Sequence, residues 1–276
     1  MPRDQVTMPD EGVVVGGLDP SLPVAVTIAT YNEAENLPSL LDGLCSLDPA
    51  PGVIVVDDRS PDGTGDMADE RARGLPGHMA VIHRQGRSGY ASAVRRGLAY
   101  GHSLGIPVLM TMDADHSHDP AVIPAMLAAL EEADVVIGSR YVAGGGVRNW
   151  PPHRILLSRL GGAFARLVTG MPVRDPTGGF RAYRREVLDR ISLWSTRAEG
   201  YGFLMETIFR CWIVGARIAE VPIVFHDRTR GHSKLSRSII LEAFLLALRL
   251  GWTSRYGPAR RRFLEELGSC PDSDQA

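Results

Sequence analysis

Residues 53–64 of the chain read VIVVDDRSPDGT. The four β-branched residues at its start are typical of a buried strand. Two adjacent carboxylates, Asp57 and Asp58, follow that strand directly, and a Ser-Pro-Asp-Gly turn then leads into a helix that we expect to begin near Gly65. A strand that ends in acidic residues and passes at once into a helix is the repeating unit of a parallel α/β sheet.

The same unit recurs on both sides of this stretch. Short apolar runs predict further strands at 24–29, 79–82, 108–112 and 135–138, and periodic apolar residues predict helices between them. Alternation with such short connections predicts a doubly wound, mostly parallel sheet with flanking helices. We expect one domain over residues 23–236, after a loose N-terminal extension over residues 1–22.

Acidic residues stand where three of these strands end. They are Glu33, the pair Asp57-Asp58, and the pair Asp113 and Asp115. Ligands of doubly wound sheets bind beyond the carboxyl ends of the strands, so this placement makes the carboxylates a candidate site. Asp113 and Asp115 carry carboxylate oxygens, which are hard ligands. Mg²⁺ and Mn²⁺ often bind one or two such carboxylates together with substrate phosphates. The simpler interpretation is an acidic loop before the helix that starts at Pro120.

The turns after the first two strands suit a nucleotide. Tyr31 offers a ring that can stack on a base, and Glu33 and Asp57 offer acceptors for ribose or base. Asn32 is expected to cap the next helix, with Glu35 completing a capping box. We expect Asp62 to shape the turn that follows Asp58.

Cations dominate the second half of the chain. Arg154 and Ser158 are four residues apart, so a helix places them on one face, and with Arg140 they can hold a phosphate. A solvated basic face is the alternative. Arg228 and Lys234, the only lysine, flank a glycine in a loop that can neutralise a departing diphosphate.

The C-terminal segment is basic and amphipathic. Residues 237–262 are expected to form a membrane-proximal helix, followed by a polar tail over 263–276. Five large apolar residues recur there at helical spacing: Leu241, Phe244, Leu245, Leu248 and Trp252. No window reaches the roughly 18 apolar residues that a membrane span needs. The pattern favours contact with an anionic membrane surface over packing in a core.

Composition narrows the class of protein. The formal net charge of −2 over 276 residues gives no global signal for nucleic acid. The three cysteines are far apart and odd in number, which fits neither a metal-binding spacing nor a disulfide framework. The N-terminus lacks the apolar core of a signal peptide. We therefore expect a cytoplasmic protein, peripheral on the cytoplasmic face of the membrane.

Several motifs together resemble one known family. The sequence reads ATYNE at 29–33, VVDD at 55–58, SPDGT at 60–64, MDADHSH at 112–118, GSRY at 138–141 and NWP at 149–151. This set resembles the dolichol-phosphate or polyprenol-phosphate mannose synthases of glycosyltransferase family 2, over roughly residues 24–236. The resemblance implies a GT-A fold and a nucleotide-sugar donor, typically GDP-mannose.

The resemblance also implies roles for particular positions. The donor residues it implies are Ala29, Tyr31, Glu33, Val55, Asp57, Asp113, Ala114, Asp115, Arg228 and Lys234. The metal ligands would be Asp113, Asp115 and Ser117, holding Mg²⁺ or Mn²⁺, and the acceptor phosphate would be held by Arg140, Arg154 and Ser158. The residues assigned to catalysis are Asp115, Arg140, Arg228 and Lys234.

The implied activity is inverting transfer of mannose to a polyprenyl phosphate at the membrane surface. Other members carry transmembrane helices after this domain, so a separate membrane subunit is a candidate partner. Two departures stand out: Ala29 replaces the usual Pro, and residues 88–93 differ from the usual Gly-rich helix start. The second leaves open a family 2 enzyme that uses a soluble acceptor or another nucleotide-sugar. A nucleotide-binding protein without catalysis is the alternative from another class.

Overall fold

A computed structural model of the chain describes residues 12–86, 89–196, 198–227 and 237–268. Side chains of residues 201 and 237–240 lie outside this description. The chain divides into two compact units, Met1–His116 and Ser117–Ala276, where the sequence led us to expect one domain over 23–236. Each unit is described by itself.

The first unit alternates strands and helices in the predicted order. Its strands are β1 (Val13–Leu18), β2 (Val24–Thr30), β3 (Gly52–Asp57), β4 (His78–His83) and β5 (Val108–Asp113). Its helices are α1 (Leu37–Cys45), α2 (Thr64–Gly74) and α3 (Tyr90–Ser103). The strands lie in the order β1-β4-β3-β2-β5, with β1 antiparallel and the rest parallel. The predicted parallel sheet is confirmed.

Close packing of α3 on this sheet depends on two glycines. A Cβ at Gly97 would overlap the side chain of Thr27 on β2, and one at Gly101 would lie 2.5 Å from Leu109 Cδ2 on β5. The absence of side chains at these positions brings the helix backbone close to the strands. The strands beneath are buried along most of their length, with Ile28 and Ile54 each 0% exposed.

Two local expectations for the first unit are wrong. Val13–Leu18 is a strand paired with β4, not part of a loose extension, because its backbone completes an edge of the sheet although Val13 is largely exposed. Asn32 does not cap a helix: it takes a left-handed conformation with φ of 61°, which Asn tolerates, and α1 begins five residues later at Leu37.

The second unit mixes parallel and antiparallel strands. Its strands are β6 (Val135–Ser139), β7 (Gly146–Arg148), β8 (Arg181–Arg184), β9 (Ile218–Pro222) and β10 (Val224–His226). Strand β6 pairs antiparallel with β8 and parallel with β9, and β7 pairs parallel with β10.

Helices make up most of the second unit. They are α4 (Ile123–Ala129), α5 (Pro152–Thr169), α6 (Arg185–Arg190), α7 (Gly200–Ile213), α8 (Arg237–Arg255) and α9 (Gly257–Glu266), with short 3₁₀ turns at Pro120–Val122 and Leu193–Ser195. The helix expected over 237–262 is interrupted at Tyr256, where Gly257 and Pro258 start α9. The expected polar tail is helical as far as Glu266.

Helices α5 and α8 pack together and leave an apolar surface exposed. Phe164 stacks on Phe244 with ring centroids 4.6 Å apart, and Ser254 Oγ donates to the carbonyl of Thr169 at 2.8 Å. The exposed residues, which we call the apolar ridge, are Leu156, Leu157, Leu160, Leu167, Leu241, Phe244, Leu245, Leu248, Trp252 and Tyr256. The apolar stripe predicted for the C-terminal segment therefore faces outward. Among the described residues, no helix is both long and apolar enough to cross a membrane.

Candidate active site

The register of the first sheet brings predicted donor residues together. Asp57 at the end of β3 lies opposite Thr30 on β2. Asp113 at the end of β5 lies opposite Ala29, which is also on β2. Neighbouring strands are about 4.8 Å apart. Ala29, Asp57 and Asp113 thus line one edge of the sheet, where its parallel strands end, as predicted from the order of strands and acidic residues.

Asp57 holds the turn that follows it. Its carboxylate accepts hydrogen bonds from Thr30 Oγ1 at 2.9 Å, from Ser60 N–H at 2.9 Å and from Ser60 Oγ at 2.5 Å. The residue is 2% exposed. We expected Asp57 to point at ligand and Asp62 to shape the turn, but both carboxylates shape this loop.

The loops after β2 and β3 are joined by hydrogen bonds. Glu33 N–H donates to Thr64 Oγ1 at 2.9 Å, and the Asp62 carboxylate accepts from Ala34 N–H and from the Thr64 hydroxyl. Burial tends to raise the pKa of Asp62, but these bonds outweigh it and leave the pKa below its usual value. The Glu33 carboxylate accepts from Asn36 at 2.8 Å. These bonds fix Glu33 and Ala34 of the first loop against the second loop.

The Asp113-x-Asp115 pair has the chemistry for a divalent cation. Asp113 is half-buried, Ala114 is 3% exposed and Asp115 is 8% exposed. Among the described residues, no group of three or more His, Cys, Asp or Glu side chains is placed to hold a metal. Two carboxylates fit a cation that takes its remaining ligands from substrate phosphates and water rather than from an all-protein cage.

A buried arginine at the end of β4 was missed by sequence reasoning. Arg84 is 3% exposed, and its guanidinium donates to Asp58 Oδ1 at 2.6 Å and to Ser92 Oγ at 2.7 Å. Burial raises the pKa of Asp58 although Arg84 opposes the shift. The rule that selected Asp57 and Asp113, a polar residue directly after a strand, would also have selected Arg84. Its bond to Ser92 ties this site to the region 88–93 that departs from the family pattern.

Arg140 in the second unit forms a buried ion pair with Asp175. Its Nε and Nη2 donate to Asp175 at 2.7 and 2.6 Å, and its backbone N–H donates to the same group at 3.0 Å. Arg140 is 6% exposed and Asp175 is 0% exposed. Burial alone would raise the pKa of Asp175, but its bonds to Arg140 hold the pKa below the usual value. This geometry favours a positioning role for Arg140 over direct binding of phosphate.

Arg154 and Ser158 lie on one face of α5, as predicted. The Arg154 guanidinium lies 4.0 Å from the ring centroid of Trp150 and donates to both carboxylate oxygens of Asp227, at 3.0 and 3.1 Å. The Tyr141 hydroxyl donates to Ser158 Oγ at 2.6 Å. Trp150 and Asp227 were not assigned a role. Asp227 is revealed only by a contact across 73 positions, whereas Trp150 lies four residues before Arg154 in the NWP motif.

The remaining predicted residues are less informative. Val55 is 0% exposed, so its side chain belongs to the core of the first unit and only its backbone can meet a nucleotide. Ser117 is 0% exposed. Arg228 and Lys234 lie outside the described residues, as does Ser88 within the 88–93 departure.

Comparison with known proteins establishes the class. The model of the glycosyl transferase family 2 matches residues 25–192. An undecaprenyl-phosphate mannosyltransferase of Micrococcus luteus is 44% identical over 239 residues, which cover 87% of this chain and 98% of that protein. A polyprenol monophosphomannose synthase of Mycolicibacterium smegmatis is 42% identical over 242 residues, covering 87% of this chain and 91% of that protein. The chain therefore belongs to glycosyltransferase family 2.

A solved structure supports the fold. The glucosyl-3-phosphoglycerate synthase of Mycobacterium tuberculosis, in complex with Mn²⁺, UDP and phosphoglyceric acid, matches with a TM-score of 0.57. The match covers 92% of this chain and 81% of that chain at 19% identity. The α/β fold of GT-A type, expected from the family resemblance, is confirmed, and the protein is a glycosyltransferase.

Proposed function

We propose that this glycosyltransferase moves mannose from GDP-mannose to a polyprenyl phosphate, with inversion at the anomeric carbon. The names of its relatives from Micrococcus luteus and Mycolicibacterium smegmatis support the acceptor class and the sugar. One observation of this chain carries the proposal: the register that aligns Ala29, Asp57 and Asp113 at the edge of the first sheet where its parallel strands end. That edge is where α/β sheets bind nucleotides.

For the donor, we assign the nucleoside to the loops after β2 and β3. Tyr31 and Glu33 lie in the first loop. The side chains of Thr64 and Asp62 hold that loop by accepting hydrogen bonds from its backbone N–H groups. A loop fixed in advance loses little conformational entropy when the ligand binds. Arg228 and Lys234 are assigned to the donor phosphates on the family resemblance.

For the metal, we assign Asp113 and Asp115 as the protein ligands of Mg²⁺ or Mn²⁺. When bound, the cation offsets the charge that develops on the leaving diphosphate. Ser117 stays the third candidate ligand. The carboxylates themselves hold a fixed negative charge at the end of β5, to which a cation with its diphosphate is attracted.

For the acceptor, we assign the phosphate to Arg154 and Ser158 on α5. Asp227 and Trp150 orient the Arg154 guanidinium, and Tyr141 orients the Ser158 hydroxyl. Arg140 is assigned a positioning role through its buried pair with Asp175. Oriented groups of this kind contribute to the rate because no reorganisation is needed during reaction.

The reaction needs little proton transfer. An oxygen of the acceptor phosphate forms a bond to the anomeric carbon while the bond from that carbon to the GDP oxygen breaks, and the electron pair leaves with GDP. The attacking phosphate is already an anion at neutral pH, so no strong general base is required. The chain contributes positioning and charge stabilisation.

We assign the apolar ridge on α5 and α8 to the membrane surface that supplies the lipid acceptor. Trp252 is 64% exposed and Leu245 is 55% exposed, which is unusual for large apolar side chains unless a surface covers them. Tryptophan and leucine with flanking arginines suit the boundary between headgroups and acyl chains. The protein is accordingly assigned to the cytoplasmic face of the membrane as a peripheral enzyme.

The assay is transfer of labelled mannose from GDP-mannose, with Mg²⁺, into the organic phase of a reaction that contains polyprenyl phosphate. We expect label in the lipid fraction, abolished by EDTA. Asp115→Asn should lower the rate by at least about a hundredfold, the size typical of removing one group that manages charge. Glu131→Gln, which alters an exposed carboxylate of the second unit, is the matched control and should keep full activity.

Two results would contradict the proposal in different ways. GDP binding without transfer to the lipid would mean that the acceptor is another molecule. Failure to bind GDP in the presence of Mg²⁺ would mean that the donor carries another base.

A further inference from the structure

A cavity in the second unit is lined by four arginines. Its volume is about 730 Å³, and Arg140, Arg159, Arg166 and Arg174 stand in its wall. Among the described residues, the wall contains no acidic side chain. A wall of this composition attracts an anion, which can bind those arginines that are not already paired with a carboxylate.

Three of the four cations have no partner within the described part of the chain. Arg140 is held by Asp175, whereas the side chains of Arg159, Arg166 and Arg174 form neither an ion pair nor a side-chain hydrogen bond there. Besides Asp175, the carboxylate that hydrogen bonds place near the wall is Glu220, whose two oxygens accept from the backbone N–H groups of residues 174 and 175. Within the described residues, the charges of Arg159, Arg166 and Arg174 are therefore not paired with an acidic side chain.

Helix α5 sets the spacing of these cations. Arg159 and Arg166 are seven residues apart, so they lie on one face about two turns, or ~10 Å, apart along the axis. Ala163, between them on the same face, leaves room in the cavity. Guanidinium groups bind phosphate oxygens bidentately, and two of them at this spacing can approach one phosphate group from opposite sides.

The same cavity borders the apolar ridge. Leu160 lines the cavity and is 58% exposed, and Leu156 and Leu167 on the same helix are 59% and 73% exposed. A soluble anion would gain nothing from these leucines. A molecule with an anionic head and apolar chains would match both surfaces, because its head could enter the arginine cavity while its chains cover the ridge.

We propose that this cavity binds the phosphodiester headgroup of an anionic phospholipid through Arg159, Arg166 and Arg174. The cavity adjoins the acceptor-phosphate residues, because Tyr141 in its wall donates to Ser158, but Arg154 and Ser158 do not themselves line it. Such a site would fix the orientation of α5 on the membrane, in addition to the general attraction of a basic segment. The proposal concerns binding alone and does not rest on the transfer reaction.

The test uses the full chain and two kinds of vesicle, one of phosphatidylcholine alone and one that also contains phosphatidylglycerol. Arg159→Gln and Arg166→Gln should each weaken binding to the phosphatidylglycerol vesicles about fivefold, and the double variant about 25-fold. Arg73→Gln, at an exposed arginine on α2 of the first unit, makes the same change in net charge and should weaken binding less than about twofold. Equal melting temperatures would show that the variants are folded.

The outcomes are separable. If Arg73→Gln weakens binding as much as Arg166→Gln, or if Arg159→Gln and Arg166→Gln bind like the wild type, the cavity is not a headgroup site. A second measurement adds inorganic phosphate to bound vesicles, against sodium chloride of equal ionic strength. Equal release by the two salts is expected. Greater release by phosphate would show that the cavity takes a free anion, which contradicts the assignment to a lipid.

Discussion

The candidate residues of the two units differ in whether they also form side-chain hydrogen bonds to nearby positions of the chain. Both units contain distant contacts, since Asp57 also binds Thr30 and Asp62 also binds Ala34. In the first unit, Asp57 binds Ser60 three positions later, and Asp62 binds Thr64 two positions later. In the second unit, Arg140 binds Asp175 across 35 positions, and Arg154 binds Asp227 across 73. A short motif therefore contains the turn contacts of the first group but only one half of each pair in the second.

The buried pair of Arg140 and Asp175 should give the largest change in stability. Asp175→Asn leaves a buried guanidinium without its counter-charge, and we expect the free energy of unfolding to fall by about 3–5 kcal/mol. Urea unfolding followed by circular dichroism measures this change. Asp134→Asn, which breaks the exposed pair with Arg217, is the matched control and should change it by less than about 1 kcal/mol. Equal effects would mean that burial of the first pair does not matter.

The same pair predicts a dependence on pH. The pKa of Asp175 in the folded protein lies below its ordinary value of 3.8, because bonds to Arg140 outweigh the effect of burial. Its contribution to stability is therefore complete above the ordinary value and is lost as the pH falls through the lowered pKa. The difference in unfolding free energy between wild type and Asp175→Asn should shrink as the pH is lowered below 3.8. A difference that grows on acidification would contradict the direction of this shift.

The exposed contacts of Asp62 in the first unit should matter less. Asp62→Ala removes acceptors for Ala34 N–H, Thr64 N–H and the Thr64 hydroxyl, and we expect a loss of about 1–2 kcal/mol in unfolding free energy. Asp66→Ala, at an exposed position in the first turn of α2, is the control. It should lower the unfolding free energy less than Asp62→Ala does, unless the loss of any nearby carboxylate has this effect. A loss as large as that of Asp175→Asn would show that this exposed turn stabilises the fold as much as the buried pair does.

The partly exposed pair of Arg154 and Asp227 should have the smallest effect on stability. Asp227→Asn is expected to change the free energy of unfolding by less than about 1 kcal/mol, because water screens a pair at this depth. The KM for polyprenyl phosphate should nevertheless rise, since Arg154 loses the carboxylate that orients it, while the KM for GDP-mannose stays unchanged. Steady-state kinetics with each substrate varied in turn separates these two constants. An unchanged KM for the acceptor would show that Asp227 does not position Arg154.

Much of the first unit could be predicted because its signals are local. Runs of β-branched residues end in Asp57 and Asp113, and parallel pairing brings those ends together without further information. Strand β1 was missed because Val13 and Val14 are exposed and the strand is stabilised by backbone bonds to β4, which leave little apolar pattern. Asn32 was misassigned because a left-handed residue and a helix cap share the same preference for Asn.

The second unit was harder to predict because its contacts are distant. Arg154 and Ser158 were found from their spacing on a helix, but Asp175 and Asp227 became visible only when the chain was folded. The outward direction of the apolar stripe on α8 also required the structure, because periodicity shows that a face exists and not what it contacts. In the first unit, Arg84 was missed although the rule of residues at strand ends should have found it.

The most direct test of the account is titration of GDP with Mg²⁺ into wild type, Asp115→Asn and Arg154→Gln. We assign the donor metal to Asp113 and Asp115 and the acceptor phosphate to α5. Asp115→Asn should therefore weaken GDP binding at least about tenfold, because a metal ligand is lost. Arg154→Gln should leave GDP affinity within about twofold of wild type while mannose transfer to the lipid falls sharply. Weakening of GDP binding by Arg154→Gln as large as that by Asp115→Asn would contradict the division between donor and acceptor residues.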